Sequence, residues 1–392
     1  MLEHIIVIGG GVGGAIAHDL SLRGFKVTLL EKGGLVSGTT GRHHGLLHSG
    51  ARYVLHDRET ARECLAENRI LRRLAPEAFE QNAGLFVAIS DEDMAHRSDF
   101  IEECREAGIP VEKIDPSQAL QLEPNLNTEL KSAFRVPDAT MDAWRLPMHF
   151  FATAKSNGAD IRPFSEVTQI LANGENTTGV KVFDHRTHKT YSLKADLIIN
   201  ATGPWSAKTA AMLGIDIPVR PVPGVMVSVA PRLTNMVINR LHPAADGDII
   251  VPQRQLSLLG TTAWISENPD DINIPQEHVI KILGLCAELV PQVGRVPVQA
   301  TWMASRPVIV RDPNADPTKI SRSFESIDHA AQDGIEGFIS IFGGKATTMR
   351  AMAETAADLV CAKTGHNIDC RTRETRLIHY RYFFSRLGSK KY

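Results

Sequence analysis

Residues 39–53 read TTGRHHGLLHSGARY. Three histidines (His43, His44 and His48) and two arginines (Arg42 and Arg52) stand there among glycines and small residues. Neither the period of an amphipathic helix nor the alternation of a strand fits the stretch. Imidazoles this close together suggest a metal site, because neutral histidine is a common ligand. The stretch holds no carboxylate or cysteine to complete such a ligand set. Two more cations stand out downstream. Arg306 lies in TWMASRPVIVRD, where Pro307 pushes it toward extended geometry at the start of an apolar strand. There it either points into a cleft or sits in a structural ion pair. Lys345 lies in GFISIFGGKATTMR, directly after the pair Gly343 and Gly344.

The elements that must position these groups begin at the N-terminus. His4 to Gly14 reads HIIVIGGGVGG. The run Ile5–Ile8 is short, apolar and β-branched, as a buried parallel strand is. Gly9, Gly11 and Gly14 supply G-x-G-x-x-G, and Ala15 to Leu22 continues as a helix that Gly24 can end. Gly9 permits the tight turn, Gly11 lets a pyrophosphate approach the backbone, and Gly14 lets the helix lie on the sheet. The helix N-terminus offers N–H groups and a positive dipole end to the phosphates. Lys26–Leu30 is a second strand, and Glu31 and Lys32 follow it. Glu31 stands where a carboxylate accepts from ribose hydroxyls.

The fingerprint alone does not separate NAD from FAD. A second glycine signature, ADLIINATGPW at 195–205, favours FAD: the strand Leu197–Asn200 runs into Ala201, Thr202 and Gly203. The same logic applies to Gly343, Gly344, Lys345, Ala346, Thr347 and Thr348. A strand, a glycine turn and a helix aim backbone N–H groups and a lysine at an electron-rich group, as a reduced flavin carries at N1–C2=O.

Composition bounds the class. Of 392 residues, 43% are hydrophobic and 22% charged, which is the balance of a soluble globular protein large enough for more than one compact unit. The formal net charge of -2 gives no basic field for nucleic acid. No apolar run approaches the roughly 18 residues that a membrane span needs. The start carries no secretory signal pattern. The five cysteines are scattered, without C-x-x-C, and read as reduced thiols in a cytoplasmic protein.

Along the chain, helices are expected at 61–74, 98–107, 148–156, 278–289 and 347–361, with a short one starting after Asp115. Residues 179–183 and 190–193 suggest a hairpin, and 225–229, 249–252 and 256–259 an antiparallel sheet. The fold class is α/β (α+β overall): a discontinuous Rossmann-like FAD-binding domain with an inserted, mostly antiparallel β substrate domain. The FAD-binding pieces are expected at 1–80, 141–215 and 330–375, the substrate pieces at 81–140 and 216–329, and a basic aromatic tail at 376–392.

Together, TTGRHHGLLHSGARY, VPD at 136–138, NATGPW, SRPVIVRD and FGGKATTMRAMAE resemble the FAD-dependent glycerol-3-phosphate dehydrogenases, particularly the catalytic chains of anaerobic bacterial enzymes. These belong to the D-amino-acid-oxidase-like flavoproteins. The resemblance runs from about residue 4 to about residue 365. It implies oxidation of sn-glycerol 3-phosphate to dihydroxyacetone phosphate, with hydride leaving C2 for flavin N5 and electrons passing to a quinone or partner subunit. It implies that His48, Arg52, Tyr53, Arg306 and Lys345 line the substrate. Thr40, Arg42, His44, Gly45, Leu46 and Leu47 would then wrap the flavin. Chemistry agrees, because a dianionic phosphate wants converging Arg and Lys donors and a secondary alcohol needs a base such as His48.

The related catalytic chains carry asparagine at the position of His43, and they continue into a cysteine-rich domain. Here the tail reads RLIHYRYFFSRLGSKKY instead, suited to a membrane surface, a partner subunit or plain solvent. The expected location is cytoplasmic, or peripheral on the inner face of the membrane. Two competing readings are an L-2-hydroxyglutarate-type hydroxy-acid dehydrogenase and a non-catalytic flavin-binding scaffold.

Overall fold

A computed structural model describes residues 3–312, 320–321 and 323–385. Its centre is a six-stranded sheet in the order Phe324–Asp328, Phe338–Gly343, Leu197–Asn200, His4–Ile8, Lys26–Leu30 and Asp160–Arg162. Five strands are parallel; Phe324–Asp328 is an antiparallel edge. The run Ile5–Ile8 is buried along its whole length, as a parallel strand covered on both faces must be. The helices Gly13–Leu22, Arg145–Ser156 and Met349–Thr364 pack together on one face around Ile16, Leu20, Phe150, Phe151 and Val360.

An eight-stranded sheet carries the second architecture. Its order is Val298–Ile309, Val219–Val229, Leu256–Gly260, Ile249–Gln253, Val237–Arg240, Gly84–Ala88, Ser132–Val136 and Glu112–Ile114. It is antiparallel except where Val237–Arg240 runs parallel to Gly84–Ala88. Two distant stretches of chain therefore meet in one sheet. A third, three-stranded sheet contains the hairpin Asn176–Asp184 and Lys189–Lys194.

Three sequence expectations shift. Phe324–Asp328 falls within the range assigned to the substrate portion, yet it pairs with Phe338–Gly343 in the central sheet. The intervening turn brings this strand back beside its successor, and short antiparallel neighbours need no crossover. Arg306 does not start a strand. It lies near the end of Val298–Ile309, opposite Val222. Pro307 is tolerated inside that strand because the strand is the sheet's edge and needs no second ladder of N–H donors. The tail, as far as Ser385, is not a solvated end. Leu377 is buried, its N–H donates to Leu74 O at 3.0 Å, and Ile378 N–H donates to Thr153 Oγ1 at 2.9 Å. Lys155 Nζ donates to Phe383 O at 2.8 Å, so the segment lies along helix Arg145–Ser156. Residues 386–392 of the expected tail lie outside the described residues.

His18 of the first helix is fully buried, and neither ring nitrogen has a partner. Burial pushes its pKa down to about 4 from 6.5. A neutral buried imidazole stabilises the fold fully above pH 6.5. That contribution falls away as the pH drops below 6.5 and is gone at about 4, for a loss of about 3 kcal/mol. His18→Leu is expected to move the acid-unfolding midpoint to lower pH. An unchanged midpoint in a circular-dichroism titration would count against this cause.

Candidate cofactor and substrate site

The turn after the first strand begins at Gly9, whose φ is 103°, where a Cβ would lie 2.6 Å from Ala201 O. This left-handed turn lets the chain pass under the Ala201–Gly203 segment and open the helix Gly13–Leu22. The first turn of that helix carries no acidic residue, so its dipole is left to a bound anion. The close approach expected of Gly14 toward the sheet belongs to Gly13. A Cβ on Gly13 would meet Val7 Cγ1 at 3.1 Å, whereas one on Gly14 would meet the Phe151 ring at 3.0 Å. Gly14 is thus a helix–helix contact.

Glu31 ends the second strand with its carboxylate on the Gly9–Gly14 turn. It accepts from Gly10 N–H at 2.6 Å and Gly33 N–H at 2.8 Å. A cavity of about 810 Å³ runs from this turn to the lysine turn. Gly9, Gly11, Glu31 and Lys32 line one end, Thr40, Arg42, His44 and Leu46 the middle, and Ala201 and Gly203 one wall. Gly343, Gly344, Lys345, Ala346 and Thr347 line the far end, where Lys345 N–H donates to Thr348 Oγ1 at 3.1 Å and squares off the start of the terminal helix.

Four expected cofactor residues do not line the cavity, for identifiable reasons. Gly14 packs on Phe151, Leu47 lies in the main core, and Thr348 caps the turn from beneath. Gly45 turns its backbone past Met141 O, to which a Cβ would come within 2.6 Å. Lys32 does line the cavity, but its ammonium pairs with Glu166 at 2.9 Å on the exposed rim. Residues that sequence reading missed also line it: Trp205 and Lys208, both bonded to Asp270. Trp205 stood in the N-A-T-G-P-W motif, but nothing local marks Asp270, which arrives from a loop 65 residues away.

The histidine loop is fixed atom by atom. Gly45 N–H donates to His43 Nδ1 at 2.9 Å and Leu46 N–H to His44 Nδ1 at 3.2 Å, so both rings carry their proton on Nε2. Burial pushes the His43 pKa down to about 4. Burial, then His43, Arg52 and Arg306, push His44 down to about 3. His48 N–H donates to Thr347 Oγ1 at 3.2 Å, and its carbonyl accepts from Asn68 Nδ2 at 3.1 Å. Ser49 N–H donates to the buried Asp138 at 2.7 Å, which accounts for the V-P-D motif. Burial, reinforced by His44, Lys345 and Arg52, holds His48 well below its ordinary pKa. Its imidazole is therefore neutral at physiological pH and has a lone pair to accept a proton.

A second cavity of about 100 Å³ adjoins the first. Arg52, His56 and Thr261 line it, and His44, His48, Tyr53 and Arg306 line both cavities. The His48 and Tyr53 ring centroids are 5.1 Å apart, and Lys345 Nζ lies 5.3 Å from the Tyr53 centroid. Arg306 Nη2 donates to Thr261 Oγ1 at 2.9 Å and to Thr262 O at 3.1 Å. Of the five expected catalytic residues, His48, Arg52, Tyr53 and Arg306 thus share the small cavity. Lys345 reaches the large one beside Tyr53. The arrangement can hold a small anionic molecule on two guanidiniums with a neutral imidazole against it.

Comparison with known proteins agrees with this arrangement. Residues 4–359 match the family of FAD dependent oxidoreductases. Over 376 residues the chain is 40% identical to the catalytic-type chain, the first-lettered component, of the anaerobic glycerol-3-phosphate dehydrogenase of Escherichia coli (strain K12), covering 95% of this chain and 69% of that one. It is also 40% identical over 390 residues to the corresponding component of the enzyme of the same name from Haloferax volcanii, covering 95% and 66%. Among solved structures, glycerol-3-phosphate dehydrogenase from Bacillus halodurans complexed with FAD superposes with a TM-score of 0.74 at 24% identity, covering 96% and 68%. That likeness is one of fold.

Proposed function

The chain belongs to the FAD-dependent oxidoreductase family, and from that premise we propose that it oxidises sn-glycerol 3-phosphate to dihydroxyacetone phosphate. The observation that carries the reading is the shared wall: His48, Tyr53 and Arg306 border both the large cavity and the small one. FAD, when bound, supplies an acceptor for the C2 hydride at its N5. The turn at Gly9 and Gly11 and the helix start behind it would hold the pyrophosphate, and Glu31 the ribose. The Gly343–Thr348 turn would hold the pyrimidine end of the flavin, with its N–H groups and Lys345 stabilising negative charge there. The small cavity, built on the edge strand of the eight-stranded sheet, is the substrate portion.

Within it, Arg52 and Arg306 bind the phosphate and Lys345 adds charge beside Tyr53. Neutral His48 takes the hydroxyl proton as the hydride leaves. Electrons pass on to a quinone or a partner subunit, the relatives being named as subunits of a larger enzyme. No helix among the described residues is long and apolar enough to cross a membrane, so any membrane contact of this portion would be peripheral.

Arg52→Ala should weaken substrate binding by about 2 kcal/mol, the cost of a lost hydrogen bond to a charged group, with FAD content retained. An unchanged KM for glycerol 3-phosphate would remove Arg52 from the phosphate site. Guanidiniums also fork carboxylates, so a 2-hydroxy acid is the second reading. Bleaching of the yellow protein by L-2-hydroxyglutarate and not by glycerol 3-phosphate would select it.

A further inference from the structure

Arg52 is not held by the small cavity alone. Its Nη2 donates to Asp248 Oδ1 at 2.6 Å and to Ala245 O at 2.8 Å. Asp248 has only 2% of its side chain exposed, and Arg52 has 11%. The other oxygen of Asp248 lies 3.0 Å from His242 Nε2. His242 Nδ1 is bonded to Pro243 O, which can only accept. With an acceptor at each ring nitrogen, His242 carries both protons. Burial works against that charge, but the hydrogen bond and the charge of Asp248 outweigh it and raise the His242 pKa. One buried carboxylate therefore stands between two cations, and the trio carries a net positive charge.

The segment holding Asp248 is anchored without help from Arg52. Gly247 N–H donates to Thr261 O at 3.0 Å, Cys286 Sγ–H to Gly247 O at 3.2 Å, and Lys281 Nζ to Asp246 at 3.1 Å. These ties run from the residues just before Asp248 to the adjoining strand and to the helix Gln276–Leu289. Arg52 reaches across to that segment from a three-residue 3-10 turn, Ala51–Tyr53, preceded by a left-handed glycine. The firmly built partner in this pair is the carboxylate, and the arginine is the group it orients.

We propose that Asp248 is a positioning residue for substrate binding. It fixes the guanidinium of Arg52 against the small cavity, and His242 offsets its charge so that the anchored arginine still presents a positive field to an anion. An arginine paired to a buried carboxylate alone would be neutralised and would attract a phosphate weakly. One paired to nothing would sample many rotamers, and the substrate would have to order it. The trio meets both requirements. Both protein acceptors fall on Nη2, and among the described residues no protein acceptor meets Nε or Nη1, which are left to a ligand. This deepens the substrate reading above and rests on it.

The test uses the FAD-loaded full chain and three variants: Asp248→Asn, Asp248→Glu and Arg52→Ala combined with Asp248→Asn. Asp248→Asn should raise KM for glycerol 3-phosphate roughly tenfold or more while kcat stays within about twofold, the pattern of lost binding without lost chemistry. Asp248→Glu, which keeps the charge at a different reach, should fall between that variant and the wild type. In the Arg52→Ala background, Asp248→Asn should raise KM no further, because the residue acts through Arg52. Inorganic phosphate, titrated calorimetrically into the same proteins, gives a readout that does not depend on turnover. Its affinity should fall by a similar factor in Asp248→Asn.

An unchanged KM and phosphate affinity in Asp248→Asn would overturn the assignment, as would an equal rise in KM with Arg52 already removed. If Asp248→Asn does not fold, Asp248→Glu with wild-type KM and phosphate affinity overturns it equally. Should the wild type bind phosphate with the expected Asp248 dependence yet not be reduced by glycerol 3-phosphate, the substrate reading fails and the positioning role stands.

Discussion

His48→Asn slows flavin reduction by about 10²- to 10⁴-fold and leaves FAD bound, if His48 is the base that takes the substrate hydroxyl proton. The substitution is chosen to spare the loop. The loop is tied through backbone atoms, the His48 N–H to Thr347 and its carbonyl to Asn68, and through Ser49 to Asp138, so the ring can be changed without releasing it. Asparagine keeps a polar group in the space but cannot accept a proton near neutral pH. Rapid anaerobic mixing reads the rate directly.

The depressed pKa of His48 adds a second expectation with a definite sign. An ordinary histidine loses its basic form as the pH falls through about 6.5. His48, held well below that value by burial and by nearby cations, stays neutral to lower pH. The kcat/KM of the wild type should therefore not fall with a midpoint near 6.5. A midpoint there, or a His48→Asn rate within a few-fold of wild type, would assign the proton to another group.

Arg350→Ala costs about 3–5 kcal/mol of stability, the loss expected when one member of a buried ion pair is removed and the other is stranded. Arg350 and Glu67 have 1% and 4% of their side chains exposed. The guanidinium meets Glu67 through Nε at 2.8 Å and also through Nη2, while Nη1 donates to Glu354 at 2.7 Å and Thr372 at 3.1 Å. Burial raises the pKa of Glu67 even with Arg350 present. Without the arginine, that carboxyl must take up a proton or draw in water. The pair joins the helix Arg58–Leu74 to the start of Met349–Thr364, one residue into the helix that follows the Lys345 turn. Loosening it should also lower FAD retention.

Urea unfolding of the FAD-free protein checks the stability term. The double variant Glu67→Met with Arg350→Met should recover a large part of the loss, because apolar replacement of both partners avoids the stranded charge. A single-variant loss below about 1 kcal/mol would mean that the pair is solvated in solution.

Much of this architecture was legible because it is written in local patterns. Ile5–Ile8 and Lys26–Leu30 flank a glycine fingerprint, and a β-branched run bounded by glycines has few alternatives. Leu197–Asn200 appears with the expected ends for the same reason. The histidine loop was marked by composition alone, since no regular element explains three imidazoles among glycines. What stayed hidden depends on long-range contacts. Asp138 meets Ser49 across 89 residues and Asp248 meets Arg52 across 196, and neither acid sits in a pattern that announces burial. Gly13 and Gly14 are adjacent, so only the packed helices reveal which of them faces the sheet and which faces Phe151. Pro307 read as a strand boundary because the sequence does not say that Val298–Ile309 is an edge. The same blindness hid the docking of Leu377 and Ile378 on their own helix.

The account rests on one claim, that the small cavity presents the carbinol of a phosphorylated triol to the cofactor beside it. The most direct measurement is anaerobic addition of sn-glycerol 3-phosphate to the yellow FAD-loaded protein, with absorbance and product followed together. The account predicts that the flavin bleaches and that one dihydroxyacetone phosphate appears for each flavin reduced. A flavin that stays oxidised with glycerol 3-phosphate, while dithionite bleaches it, would contradict the account.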